Sequence, residues 1–188
     1  MKNMGMVRKV DELGRIVIPK EIRANLFIKE GTPMEISVGE RGELVLTKCN
    51  LLNNVSDLAC KFCDVLYEVL NFPIMITDDE KVVCVVGTSK KIYLNKPISL
   101  QLKNIIHKSE NYTASNEFKT TLVPIVEAEE IKYTSQVLIP ILNDGKCIGL
   151  IVLLSFNEAP TNVDIKTMQT VSKLLTKQLE LWKNKRLL

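Results

Sequence analysis

Histidine and tryptophan occur once each in 188 residues, and aromatic residues make up only 5% of them. A single histidine rules out a two-histidine metal site. It also leaves His107 as the only imidazole, with no serine or cysteine beside it to activate. Its expected place is a helix C-terminus, where positive charge is favoured. No glycine-rich phosphate loop is present. The five cysteines are odd in number and scattered, which argues against a disulfide framework. The longest apolar run, Cys147–Leu154, is interrupted by Gly149 and is too short for a bilayer. The first ten residues are polar and basic, without the apolar core of a secretory signal. These absences lead us to expect a soluble, cytoplasmic chain with no metal, no cofactor and no membrane partner.

What is present is a hydrophobic content of 46% and a net charge of only +3. The first figure is enough for a packed core. The second means that any nucleic-acid signal must be local. Residues 1–25 hold six basic residues (Lys2, Arg8, Lys9, Arg15, Lys20, Arg23) against three acidic ones, so they carry the whole +3. Val7–Val10 and Arg15–Ile18 read as short strands. Asp11-Glu12-Leu13-Gly14 reads as the turn between them. Pro19 fits the first turn of a helix, in which Ile22 and Leu26 share a face. Met34, Ile36 and Val38 alternate with polar residues, Glu40–Glu43 is a turn, and Leu44–Thr47 is the return strand. Four strands and one short helix in under fifty residues bury too little surface to stand alone, so oligomerisation is expected.

The order of residues from Val7-Arg8-Lys9-Val10-Asp11-Glu12-Leu13-Gly14-Arg15 through Ile16-Val17-Ile18-Pro19-Lys20-Glu21-Ile22-Arg23 to Gly31 closely resembles the DNA-binding module of the AbrB-like transition-state regulators. The resemblance implies a swapped-hairpin β-barrel dimer formed by residues 1–50. It also implies double-stranded DNA as partner, contacted by Arg8, Arg15 and Arg23 with Lys9 and Lys20 in support. Arginine suits that role, because its planar fork serves both guanine edges and phosphates. Ala24 stands where relatives often carry a second basic residue, a departure that bears on affinity or site preference. A dimer neutralising on the order of six phosphates should show a log K against log salt slope of about −5.

Residues 51–55 are expected to be a linker running into a helix. Leu51, Val55, Leu58, Phe62, Val65, Val69 and Phe72 keep heptad spacing. A second stripe, Ala59, Cys63, Leu66 and Leu70, lies about 100° round the helix. Two stripes fit either two contacts, one with the following sheet and one with a partner subunit, or a single wide core-facing surface. Cys60 and Cys63 form a CxxC, but no second ligand pair exists and the motif does not open a helix. Both are therefore read as ordinary helix residues.

Residues 56–188 read as an α+β domain. Strands are expected at Pro73–Thr77, Lys81–Val86, Leu122–Val126, Thr134–Leu142 and Lys146–Ser155, with helices from Ile98 to His107 and from Thr161 through Trp182. Asn143-Asp144-Gly145 is a hairpin turn, and Thr161 with Asp164 is a capping box. On the last helix Ile165, Met168, Val171, Leu175, Leu179 and Trp182 share a core-facing stripe, while Leu174 and Leu181 lie on the other side. The stretch Val137-Leu-Ile-Pro140-Ile-Leu-Asn-Asp-Gly145-Lys-Cys-Ile-Gly149 resembles the end hairpin of GAF domains, which often sense small molecules. A pocket is expected between the sheet and the Lys90–Glu130 segment, its ligand unspecified. Cys84 and Cys147 are expected to pack as free, small hydrophobes.

The function expected is therefore a sequence-specific transcription regulator without enzymatic activity. The resemblance further implies an activator and repressor of late sporulation genes in the developing spore, assembled as a homodimer and then a homotetramer through helices of the GAF-like domain. Two other classes remain. One is a GAF-type thiol enzyme or redox sensor using Cys84 and Cys147; the other is an antitoxin built on the same front fold.

Overall fold

The computed structural model describes residues 6–26, 28, 30–32, 34–48, 56–117 and 120–186. The chain divides into two compact units, Met1–Cys49 and Asn50–Leu188. The expected linker at residues 51–55, together with Leu51 and Val55, lies outside the described residues.

The first unit holds helix α1 (Lys20–Asn25) and a hairpin of β1 (Met34–Val38) and β2 (Leu44–Lys48). Gly39 N donates to Glu43 O at 2.8 Å and Gly42 N to Gly39 O at 3.0 Å, closing the hairpin turn. Register pairs Ile36 with Leu46 and Val38 with Leu44. The segments Val7–Val10 and Arg15–Ile18, expected as strands, lie outside any ladder of this chain. A strand exists by pairing, and among the described residues this chain supplies these segments with no partner strand.

The second unit is a five-stranded, fully antiparallel sheet in the order β4-β3-β7-β6-β5. Its strands are β3 (Ile74–Asp78), β4 (Val82–Val86), β5 (Tyr112–Ser115), β6 (Ser135–Asn143) and β7 (Lys146–Ser155). Helix α2 (Ser56–Leu70) packs on β3 and β4, and helix α5 (Asn162–Arg186) on β6. Strand residues alternate between the two faces. Met75, Val85, Leu138, Leu150, Val152 and Leu154 join one core with Leu102, Ile105 and Ile106 of helix α4 (Leu100–Lys108). Tyr93, in the one-turn helix α3 (Lys90–Tyr93), closes the same core.

Local chemistry explains the boundaries. Ser99 Oγ caps α4 by accepting from Leu102 N at 3.1 Å. Thr161 and Asp164 form the expected reciprocal box: Thr161 N donates to Asp164 Oδ2 at 2.7 Å, and Asp164 N to Thr161 Oγ1 at 3.3 Å. Asp144 (φ 48°) and Gly145 (φ 75°) give the β6–β7 hairpin its tight turn. Pro140 is tolerated within β6 because β5 stops at the Tyr112–Leu138 pair, so only β7 flanks it there. Gly87 (φ 78°) lies against the Tyr67 ring, where a Cβ would clash.

Leu122–Val126 is no strand; a single bridge, Ile98 to Val126, marks it. Side chains replace the missing neighbour. Gln136 Oε1 accepts from Val123 N at 2.7 Å, and Glu129 Oε2 from Ile125 N at 2.5 Å. Tyr133 Oη donates to Val123 O at 2.6 Å, and Ser99 Oγ to Pro124 O at 2.5 Å. The segment is an apolar cover whose backbone is satisfied by polar side chains.

Candidate nucleic-acid interface

No residue between 6 and 47 whose burial is described is buried. Ile36 is 67% exposed, Val38 73% and Leu44 62%, and they lie with Leu46 on one face of the β1–β2 hairpin. An apolar face of that size left in water marks an interaction surface rather than a solvated one.

The five expected contact residues, Arg8, Lys9, Arg15, Lys20 and Arg23, are all exposed. Two are positioned by hydrogen bonds. Asp11 organises the turn: its Oδ1 accepts from Leu13 N at 3.0 Å and Arg15 N at 2.8 Å, and its Oδ2 accepts from Arg15 Nε at 2.9 Å. Gly14 N returns to Asp11 O at 2.9 Å, with Gly14 at φ 74°. The Arg15 backbone and side-chain N–H groups hold the Asp11 carboxyl below the usual carboxylate range. Arg15 is thus tethered through Nε, with its side chain 68% exposed. Arg23, in the last turn of α1, donates from Nε to Ile18 O at 3.2 Å. Arg8 and Lys9 lie on the segment before the turn, and Lys20 opens α1. Sequence reasoning did not anticipate the two anchors. The Asp11-to-Arg15 spacing was the available signal, since a turn-opening aspartate commonly caps the residues that follow.

In the second unit, an open pocket of about 650 Å³ lies where segments 88–97 and 126–132 meet, with Phe156 at its edge. Tyr93, Lys96, Glu127, Glu129, Glu130 and Lys132 supply its polar wall. Glu129 is committed to structure: Oε1 accepts from Tyr93 Oη at 2.5 Å while Oε2 binds the 125–126 backbone. Burial, with the Glu129 carboxylate beside it, pushes the Tyr93 hydroxyl far up. His107 is exposed in the last turn of α4.

The cysteines need a correction. Cys84 is not free; it is bonded to Cys60, 24 residues earlier, with a Cα–Cα distance of 5.5 Å. The reading of Cys60 as an ordinary helix residue therefore also falls. The cause is tertiary: α2 lies over β4 and brings the two together. Cys147 donates from Sγ to Gly149 O at 3.1 Å, and burial pushes its thiol up. Neither residue of the thiol-enzyme reading presents a ready thiolate. No group of three metal-ligating side chains occurs among the described residues. No helix there is long and apolar enough to cross a membrane.

On the helices, the stripe Ala59, Cys63 and Leu66 is buried against the sheet, whereas Val65 is 50% and Val69 66% exposed. Of the heptad stripe, this chain partly covers Leu58, Phe62 and Phe72 and leaves Val65 and Val69 exposed. On α5, Met168, Val171, Leu175 and Leu179 are buried, and Leu174 and Leu181 are half exposed. The Trp182 side chain lies outside the described ones.

A five-stranded antiparallel sheet with helices α2 and α5 on one face defines a GAF-like domain, joined here to an exposed cationic hairpin module. Solved structures agree on the fold. The blue-light absorbing PixJ GAF domain of Thermosynechococcus elongatus matches at TM-score 0.55 and 12% identity, over 74% of this chain and 94% of that one. The GAF domain of an Acinetobacter phosphoenolpyruvate-protein phosphotransferase matches at TM-score 0.53 and 13% identity, over 69% and 88%. The type II free methionine-R-sulfoxide reductase of Thermoplasma acidophilum matches at 0.52 and 16%, over 69% and 94%.

The sequence carries the identification further. Residues 54–180 match the family described as stage V sporulation protein T C-terminal, transcription factor, and residues 7–48 match the MazE antidote-toxin recognition family of bacterial antitoxins. The stage V sporulation protein T of Bacillus subtilis is 37% identical over 180 residues, covering 96% of this chain and 99% of that protein. The transition state regulatory protein AbrB of the same organism is 46% identical over 63 residues, covering 30% of this chain and 65% of that protein. The chain belongs to the stage V sporulation protein T family of transcription factors.

Proposed function

We propose that this protein is a sequence-specific DNA-binding regulator, both activator and repressor, of late sporulation genes in the developing spore, without enzymatic activity. Residues 1–50 are its DNA-binding and dimerisation domain, residues 51–55 the linker, and residues 56–188 the sensor and oligomerisation domain. Arg8, Lys9, Arg15, Lys20 and Arg23 contact the duplex. The observation that carries this reading is the combination in one small unit of exposed cations, two of them pre-positioned, with an apolar hairpin face left open to a second copy. The identity of 37% across 96% of the chain to a sporulation protein supports it.

A dimer doubles the arginine set and spreads it over two half-sites. The uncovered Val65 and Val69 of α2 and Leu174 and Leu181 of α5 support a homotetramer built through these helices. The pocket beside Tyr93 and Lys96 is the site proposed for a small-molecule effector, acting by biasing the orientation of the DNA-binding domains.

The test is binding to a promoter-rich fragment pool at two salt concentrations, by the intact protein and by Arg15→Ala. Selective binding with a log–log salt slope of about −5, lost on the order of 100-fold in the variant, is the expected result. No binding at low salt by a verified dimer overturns the reading.

A further inference from the structure

Helix α2 carries two cysteines three positions apart, and the fold treats them differently. Cys63 is fully buried, and burial drives its thiol far above the ordinary range. Cys60 is half-buried and bonded to Cys84, which is only 4% exposed, across 5.5 Å between Cα atoms. A disulfide spans that separation without backbone movement. β4 is an outer strand of the sheet. The bond therefore fastens the second turn of α2 to the sheet edge.

We propose that Cys60 and Cys84 form a reversible thiol–disulfide switch, closed by low-molecular-weight disulfides and opened by the corresponding thiols, that fastens or frees the start of helix α2. The core beneath α2 does not need the bond. Ala59, Cys63 and Leu66 are buried to within 1%, so the helix keeps its apolar seat when the bond opens. One partner is reachable from solvent and the other is shielded, an arrangement that lets a small disulfide enter through Cys60. A transcription factor works among its DNA targets in the reducing interior of the cell, where permanent disulfides are rare and close thiol pairs respond to redox state. That last premise rests on the proposed function; the geometry of the pair does not.

The exchange balances without further reagents. The Cys60 thiolate attacks one sulfur of the small disulfide, forming a mixed disulfide and expelling a small thiolate. Cys84, its proton lost to solvent, attacks the Cys60 sulfur and expels the second small thiolate. Two protein thiols are oxidised, one small disulfide is reduced to two thiols, and the two protons released by the protein are taken up by those thiolates.

The experiment equilibrates intact protein in mixtures of reduced and oxidised glutathione, quenches with acid, alkylates, and maps the linked peptides by mass spectrometry. Amide hydrogen exchange across residues 57–64 is followed in parallel. Expected is a Cys60–Cys84 peptide that appears with oxidation and disappears on return to reduced glutathione, with exchange on the order of tenfold faster in the reduced state. C60S and C84S should exchange at the reduced rate in both buffers. The proposal is overturned if the linked peptide never forms in oxidised glutathione. It is equally overturned if the bond survives excess reduced glutathione without denaturant, or if exchange is the same in both states of the wild type. Neither readout involves DNA, so failure of the regulator reading and failure of the switch are separate results.

Discussion

Two hairpins of this chain are built from similar residues and meet opposite fates. In β6–β7, Val137, Ile139, Ile141, Ile151 and Leu153 are buried almost completely. In β1–β2, Ile36, Val38 and Leu44 are each more than 60% exposed. The difference lies not in propensity or register, since both ladders are antiparallel and regular over most of their length. It lies in what each face meets. The β6–β7 pair has helices on one side and the α4 core on the other. The β1–β2 pair has only a six-residue helix in its own unit, and a lone two-stranded ribbon is not stable in water. A sheet face is finished by a second layer; the second unit supplies its own, and the first has none among its described residues, leaving the face that the proposed dimer would cover.

That contrast can be broken deliberately. The largest effect is expected from Ile36→Asp, which sets a charge in the middle of the face a second copy would bury. Dimer dissociation should rise by about 1,000-fold, about 4 kcal/mol, while the thermal transition of the second unit stays put; ultracentrifugation and calorimetry on one sample check both. Leu150→Ala should do the reverse. It removes about 3 kcal/mol from the second unit and leaves the dimerisation constant alone, a result readable by denaturant titration against concentration series. Reducing the Cys60–Cys84 bond should cost the second unit roughly 3 kcal/mol by the chain-entropy account of a loop that long, seen as a lower melting temperature than in the oxidised protein. Gly87→Ala, forcing a side chain into a left-handed backbone against the Tyr67 ring, should cost about 2 kcal/mol, again in the second unit only. The smallest effect concerns acid. The folded Asp11 value is depressed by Arg15, so the turn's contribution is complete above the ordinary carboxylate value and fades as pH falls through the lower folded one. Asp11→Asn should flatten that acid limb of dimer stability, measured by melting across the acidic range.

Local signals were legible in the sequence. Thr161 with Asp164, and Asn143-Asp144-Gly145, each specify structure within four residues, and both are found as expected. The two stripes of α2 were legible as stripes, but the depth to which the sheet buries each, Ala59, Cys63 and Leu66 fully and Leu58 and Phe62 partly, emerged only with the fold. The Leu122–Val126 segment misled because an apolar run looks alike in a strand and in a cover. What decides is whether Gln136, Glu129, Tyr133 and Ser99 reach its backbone, and those partners are scattered from residue 99 to 136. β5 went unnoticed because Tyr112–Ser115 is short and mostly polar. The Cys60–Cys84 bond was invisible for the same reason as the cover: it depends on a helix lying across a strand. At the proposed DNA interface, the residue types were readable from resemblance, and the tethers on Arg15 and Arg23 emerged only with the backbone.

The naked face of the β1–β2 hairpin has a consequence for timing. A regulator whose reading head is completed by a second copy does not gain activity in proportion to its synthesis. While chains are scarce, the number of finished heads grows as the square of chain abundance, and near saturation it grows linearly. Early, leaky expression is thus discounted twice over, and a later burst is amplified. In the proposed dimer the exposed hairpin would act as a counter, ignoring single molecules and registering pairs.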